Sequence, residues 1–115
     1  MYNFNFIEDE KLIEVFDEIL IKQDKKEKIT TIALTDKRLL FLDYITNDGY
    51  EALKIAKGIN FMRYKDVYHQ IDLSNIESIK NNDEYYLITL KDRTSFGFNN
   101  IILYELLKGE LNDEI

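Results

Sequence analysis

The chain has no cysteine, no proline and no tryptophan, and it carries a single histidine and only 4 glycines in 115 residues. Without cysteine, disulfides and thiolate metal sites are excluded. The lone His69 cannot by itself build a zinc site or a catalytic triad, because both need partners in compatible geometry. The glycines stand isolated at 49, 58, 97 and 109, so there is no Gly-rich phosphate loop. No run of about 18 apolar residues occurs, and no membrane-spanning helix is expected. The acidic start, with Glu8-Asp9-Glu10, lacks the basic and apolar regions of a secretory signal, which predicts a cytoplasmic protein. Basic residues are in the minority, 15 against 22 acidic, for a net charge of −7. Such a balance repels nucleic-acid phosphates and anionic lipid head groups within the Debye length. The arginines, Arg38, Arg63 and Arg93, are widely spaced and do not form a basic stripe in the sequence. The expected partner is therefore neither nucleic acid nor a membrane.

What is present points to a small β-rich domain. A chain this long is most simply one domain with one core. The apolar fraction of 45% suits a globular protein, and 8 tyrosines with 7 phenylalanines favour strands. Residues 1–10 read as an N-terminal arm. Residues 12–21 fit a helix stripe through 12, 13, 16, 19 and 20, or a strand face through 13, 15, 19 and 21 broken by Asp17. The polar run 23–28 reads as a turn or loop. Ile29 to Thr35, rich in β-branched residues, reads as a strand, Asp36-Lys37 as a turn, and Arg38 to Tyr44 as a central strand apolar on both faces. Thr46 to Gly49 signals a turn, and residues 50–57 a short helical insertion. Further on, Val67, His69, Ile71 and Leu73 are expected to share one strand face. Residues 73–79 read as a turn entering a short strand, broken at 81–83. Tyr85 to Leu90 and Thr94 to Phe98 form a hairpin about Lys91-Asp92-Arg93, with Phe96 and Phe98 on one face. Asn99 or Asn100 caps a closing helix whose apolar stripe is Ile102, Leu103, Leu106 and Leu107. The expected core comprises Leu34, Leu40, Leu42, Leu87, Ile88, Phe96, Leu103 and Leu107.

The stretch Leu34-Thr35-Asp36-Lys37-Arg38-Leu39-Leu40-Phe41-Leu42, then residues 71–79, then residues 86–98 and the final helix resemble the bacterial pleckstrin-homology-like (PH-like) domains. In that family a T-D-R/K-R-L hairpin precedes an I-P-L-x-x-I-x-x-I run, a K-D-G hairpin and a helix. Two positions depart from the pattern: Asp72 stands where proline is common, and Arg93 where the hairpin usually carries glycine. The resemblance implies a mainly β fold with α: a curved antiparallel sheet or partly open barrel over residues 12–98, capped by a helix at 100–111. It also makes residues 12–21 the first strand, joined through 23–28 to the second.

No catalytic site, metal site or cofactor is read from the sequence. The acidic pairs Asp9-Glu10 and Asp83-Glu84 flank turns and read as solvated surface. The binding candidates are Lys22, Lys25, Lys26 and Lys28, in the loop where lipid-binding relatives of the fold hold phosphoinositide head groups. Asp24 and Glu27 dilute their charge, and lysine lacks the bidentate fork of arginine. Tyr2, Phe4 and Phe6 alternate with asparagines, either as an arm packing on its own core or as one pairing with a neighbouring subunit. The reading is a non-enzymatic PH-like binding or assembly module whose partner is a protein or a second copy in a homodimer. The alternative is a peripheral binder of anionic lipid head groups through Lys22–Lys28.

Overall fold

The computed structural model of the protein describes residues 2–3, 6–43 and 65–112. The turn expected at 46–49 and the helical insertion at 50–57 lie outside the described residues. The chain forms β1 (Tyr2–Asn3), β2 (Leu12–Gln23), β3 (Lys26–Thr35), β4 (Arg38–Asp43), β5 (Lys65–Asp72), β6 (Ile76–Asn82), β7 (Tyr85–Leu90), β8 (Ser95–Phe98) and helix α1 (Ile101–Asn112). The strands run side by side in the order β1-β5-β4-β3-β2-β8-β7-β6. The seven strands from β2 to β8 pair antiparallel in a curved sheet, and only β1 adds in parallel, to β5. The sheet stays open, because β6 and β1 end it without meeting.

Residues 12–21 are strand, and a bulge explains their helix-like spacing. The β2–β3 register slips between Phe16 and Ile19, and Glu18 sits at φ 60. The one extra residue reverses the face that follows, so Phe16 and Ile19, three apart, both enter the core. A second irregularity corrects the expectation for β5. Phe41 pairs with His69 but Leu42 with Val67, so Tyr68 is the extra residue. Val67 therefore packs with Ala33, Leu40 and Leu42, in a cluster separate from the main core that holds Ile71.

The polar run 23–28 is mostly strand rather than loop. Gln23 pairs with Lys26, and the turn consists of Asp24 and Lys25 alone, at φ 51 and 67. Both central residues at positive φ match the right-handed twist of the flanking strands. Asp36-Lys37 turns the next hairpin, and β4 lies between β3 and β5 with Arg38 to Leu42 all buried.

The main core joins Phe16, Ile19, Ile32, Leu34, Ile88, Phe96 and Phe98 to Leu103 and Leu107 of α1. Asn100 is the helix cap, its carboxamide oxygen accepting the Leu103 N–H at 2.9 Å. Asn99 instead accepts the Leu20 N–H at 3.0 Å, which ties the helix start to β2. Two expectations fail here. Ile102 is 60% exposed, because Leu103 and Leu107 alone reach full burial on the helix. Leu87 is only half-buried, because it faces away from Ile88, which fills the core.

The N-terminal arm is pinned from below. β1 lies along the chain's own β5. Lys11 and Asp36 exchange hydrogen bonds, the Lys11 N–H donating to the Asp36 carboxylate and the Asp36 N–H to the Lys11 carbonyl. Between them the Glu10 carboxylate enters the protein and meets Arg38.

Candidate binding cleft

Three elements frame a cleft of about 910 Å³ at the open end of the sheet. The tip of the β2–β3 hairpin forms one wall, and Tyr68 and His69 of β5 another. The β7–β8 turn closes the third side with Asp92 and Thr94. The floor is apolar: Ile21, Phe41, Ile71, Leu90 and Phe96. Phe41 and Phe96 meet edge to face at 5.7 Å between centroids, and the His69 ring lies 5.4 Å from Phe41. Such offset aromatic contacts are the favoured geometry for packed rings.

Each wall is held locally. The Tyr68 hydroxyl donates to the Thr30 hydroxyl at 2.8 Å, and Thr30 donates in turn to the Leu42 carbonyl at 2.8 Å. This chain of bonds fastens β5 across β4 to β3. Lys28 places its ammonium 3.7 Å from the centre of the Tyr68 ring, a cation–π contact bridging two walls. In the β7–β8 turn the Asp92 carboxylate accepts the Thr94 hydroxyl and, at 2.9 Å, the Thr94 N–H. Those two bonds hold the Asp92 carboxyl below its usual range, so it stays anionic.

Three of the four candidate lysines, Lys22, Lys25 and Lys26, border one hollow, and Lys28 stands apart from them. Lys22 lies on β2, 3.6 Å from Glu27 and 5.8 Å from the centre of the Tyr85 ring. Lys25 is in the turn, while Lys26 and Lys28 begin β3. Lys26 and Lys28 line the cleft. Lys22, Lys25 and Lys26 border a shallower hollow of about 360 Å³ beside Tyr85 and Gly97. Lys26 borders both hollows, as Asp24 and Glu27 do, so the hairpin separates only Lys28 from Lys22 and Lys25. Within the cleft, Asp24, Glu27 and Asp92 oppose Lys26 and Lys28, and no cationic cradle forms.

Sequence reasoning missed Tyr68, His69, Asp92 and Thr94 as one site. Asp92 was legible as a turn residue, but its meeting with β5 depends on sheet curvature. Among the described residues, no group of three or more metal-ligating side chains converges, and no helix is long and apolar enough to cross a membrane.

An open, seven-stranded antiparallel sheet with one C-terminal helix is the PH-like fold. No family model matches the sequence, and no curated protein does. Among solved structures the chain is similar to the Vps36 N-terminal PH domain, with a TM-score of 0.65 and 12% identity over 95% of this chain and 84% of that one. At that identity the likeness establishes the fold.

Proposed function

We propose that residues 1–115 act as one cytoplasmic, non-catalytic PH-like binding module, of the bacterial kind that the sequence resembles, which holds a protein segment in the cleft. The observation that carries this reading is the make-up of the cleft: an aromatic and aliphatic floor ringed by side chains of both charges. That is the anatomy of a protein interface, with apolar anchors at the centre and a polar rim. A phosphorylated head group asks instead for converging cations, and in this cleft Lys26 and Lys28 are outnumbered by Asp24, Glu27 and Asp92.

Photo-crosslinking tests the reading. A benzophenone side chain placed at His69, on the cleft, is compared with one at Glu105, exposed on α1. Discrete protein adducts from a host-cell lysate are expected from position 69 and not from position 105. Identical adducts from both positions, or lipid adducts alone, would overturn it. Self-association is a second reading, favoured by Ile101 and Ile102, adjacent on α1 and each 60% exposed.

A further inference from the structure

The rim of the cleft constrains what kind of segment fits it. Among the described residues, neither Asp24 nor Lys26 has an ion-pair partner. Lys28 lies over the face of Tyr68 and keeps its charge, and Glu27 stands 3.6 Å from Lys22. Asp92 is oriented by Thr94, whose hydrogen bonds engage one of its oxygens, Oδ1. The cleft rim thus carries three carboxylates, Asp24, Glu27 and Asp92, against two ammoniums, Lys26 and Lys28, a small acidic excess. They stand above an apolar floor built on Phe41 and Phe96. The chain as a whole is acidic as well, with a net charge of −7.

Resting on the reading of this cleft as the partner site, we infer that its occupant is a basic–apolar protein segment. An aliphatic or aromatic side chain of the segment covers the Phe41–Phe96 floor. Flanking arginine or lysine side chains meet Asp92 and Asp24. Thr94 occupies Oδ1 of Asp92 and leaves Oδ2 for one charge-assisted hydrogen bond from an arginine or lysine. The acidic field of the domain draws a cationic segment in and repels acidic competitors, which sets specificity and association rate more than final affinity. The same arrangement disfavours phosphopeptides and anionic lipid surfaces.

The test is selection of the intact protein against a phage-displayed library of random peptides, repeated with the Asp24→Asn/Asp92→Asn double variant. Both sites are exposed on turns, so the fold is retained. Amide shifts of the labelled protein locate each selected peptide. The expected result is enrichment of peptides pairing arginine or lysine with an aromatic or aliphatic residue, bound at Lys26, His69 and Asp92–Thr94. Their affinity should fall as salt rises, and by about fivefold in the double variant, the size of a partly exposed charge pair. Peptides bound at the cleft without basic bias, or with acidic bias, would overturn the inference and leave the cleft as a partner site. Peptides bound elsewhere, or no selection at all, would overturn both.

Discussion

Arg38 grips Glu10 with two parallel hydrogen bonds, Nε to Oε2 at 2.8 Å and Nη2 to Oε1 at 3.0 Å. The Glu10 side chain is wholly buried. Thr35 donates its hydroxyl to the same carboxylate at 2.6 Å, the Ile7 N–H adds a bond at 2.9 Å, and Arg38 reaches on to Gln70 at 2.6 Å. The residues come from the arm, β3, β4 and β5, so one ion pair locks the N-terminal segment under the sheet. Removing one member leaves a buried charge without its partner. Arg38→Leu is expected to lower stability by about 3–5 kcal/mol, measured by urea denaturation. Arg38→Lys should recover only part of the loss, since an ammonium cannot reproduce the fork. A change near zero would show that the arm is not anchored by this pair.

The same pair predicts an acid response. Burial alone would raise the Glu10 pKa. Hydrogen bonds from Arg38, Thr35 and the Ile7 N–H, with the Arg38 charge, outweigh it and bring the value from 4.5 to about 2. A carboxyl whose pKa is depressed on folding contributes stability that is complete above its unfolded value. That contribution is lost as pH falls from about 4.5 toward 2. Urea midpoints measured across this window should decline in the wild type, and the decline should be smaller in Glu10→Gln. Parallel curves would rule out Glu10 as a source of the acid sensitivity.

The helix docks through two leucines. Leu103 and Leu107 are fully buried against the sheet, while Ile102 is 60% exposed. Leu107→Ala should cost on the order of 2–5 kcal/mol through lost burial and a residual cavity. Ile102→Ala should stay within about 0.5 kcal/mol, as surface changes do. Equal losses at the two positions would place the wrong face of α1 against the core.

Turn strain gives a prediction of opposite sign. Arg93 sits at φ 77 in the β7–β8 turn, where a side chain costs energy that glycine avoids. Arg93→Gly should raise stability by roughly 0.5–1 kcal/mol, after the extra entropy of glycine in the unfolded chain offsets part of the gain. Gly97→Ala should lower it, because a Cβ there would lie 2.8 Å from Cε2 of the Tyr85 ring that covers the glycine. Thermal unfolding of the two variants checks both signs.

Phosphoinositide vesicles are not expected to retain the protein in co-sedimentation, given the charge of −7 and the carboxylates, Asp24 and Glu27, that stand among the lysines in both hollows. Retention abolished by Lys25→Glu/Lys26→Glu would instead establish the hairpin as a head-group site. For assembly, light scattering should report a mass above 13.7 kDa if α1 self-associates, restored to the monomer by Ile101→Ser/Ile102→Ser. A monomer at every concentration would remove the self-association reading.

Composition and local pattern by themselves determined a small β-rich domain, the hairpin at Asp36-Lys37, the strand Tyr85–Leu90 and the helix from Ile101, while the PH-like class came from the resemblance of its hairpins to a known family. These rest on interactions between near neighbours: turn residues, β-branched runs and an asparagine cap act within a few positions, so the string of residues carries them. Tertiary structure alone decided the rest. Phe16 and Ile19 share a face only because a bulge shifts the strand, and Val67 parts from Ile71 for the same reason. Arg38 finds Glu10 across 28 positions, and Asp92 faces Lys26 and His69 only because the sheet curves to bring two hairpins and β5 to one cleft. The lysine-rich run reads as one loop in sequence, while the pairing of Gln23 with Lys26 makes it a tight hairpin with Lys22, Lys25 and Lys26 on one hollow and Lys28 on the other. Period and propensity act along the chain, whereas a binding site is made by register and curvature, which are set when distant strands pair.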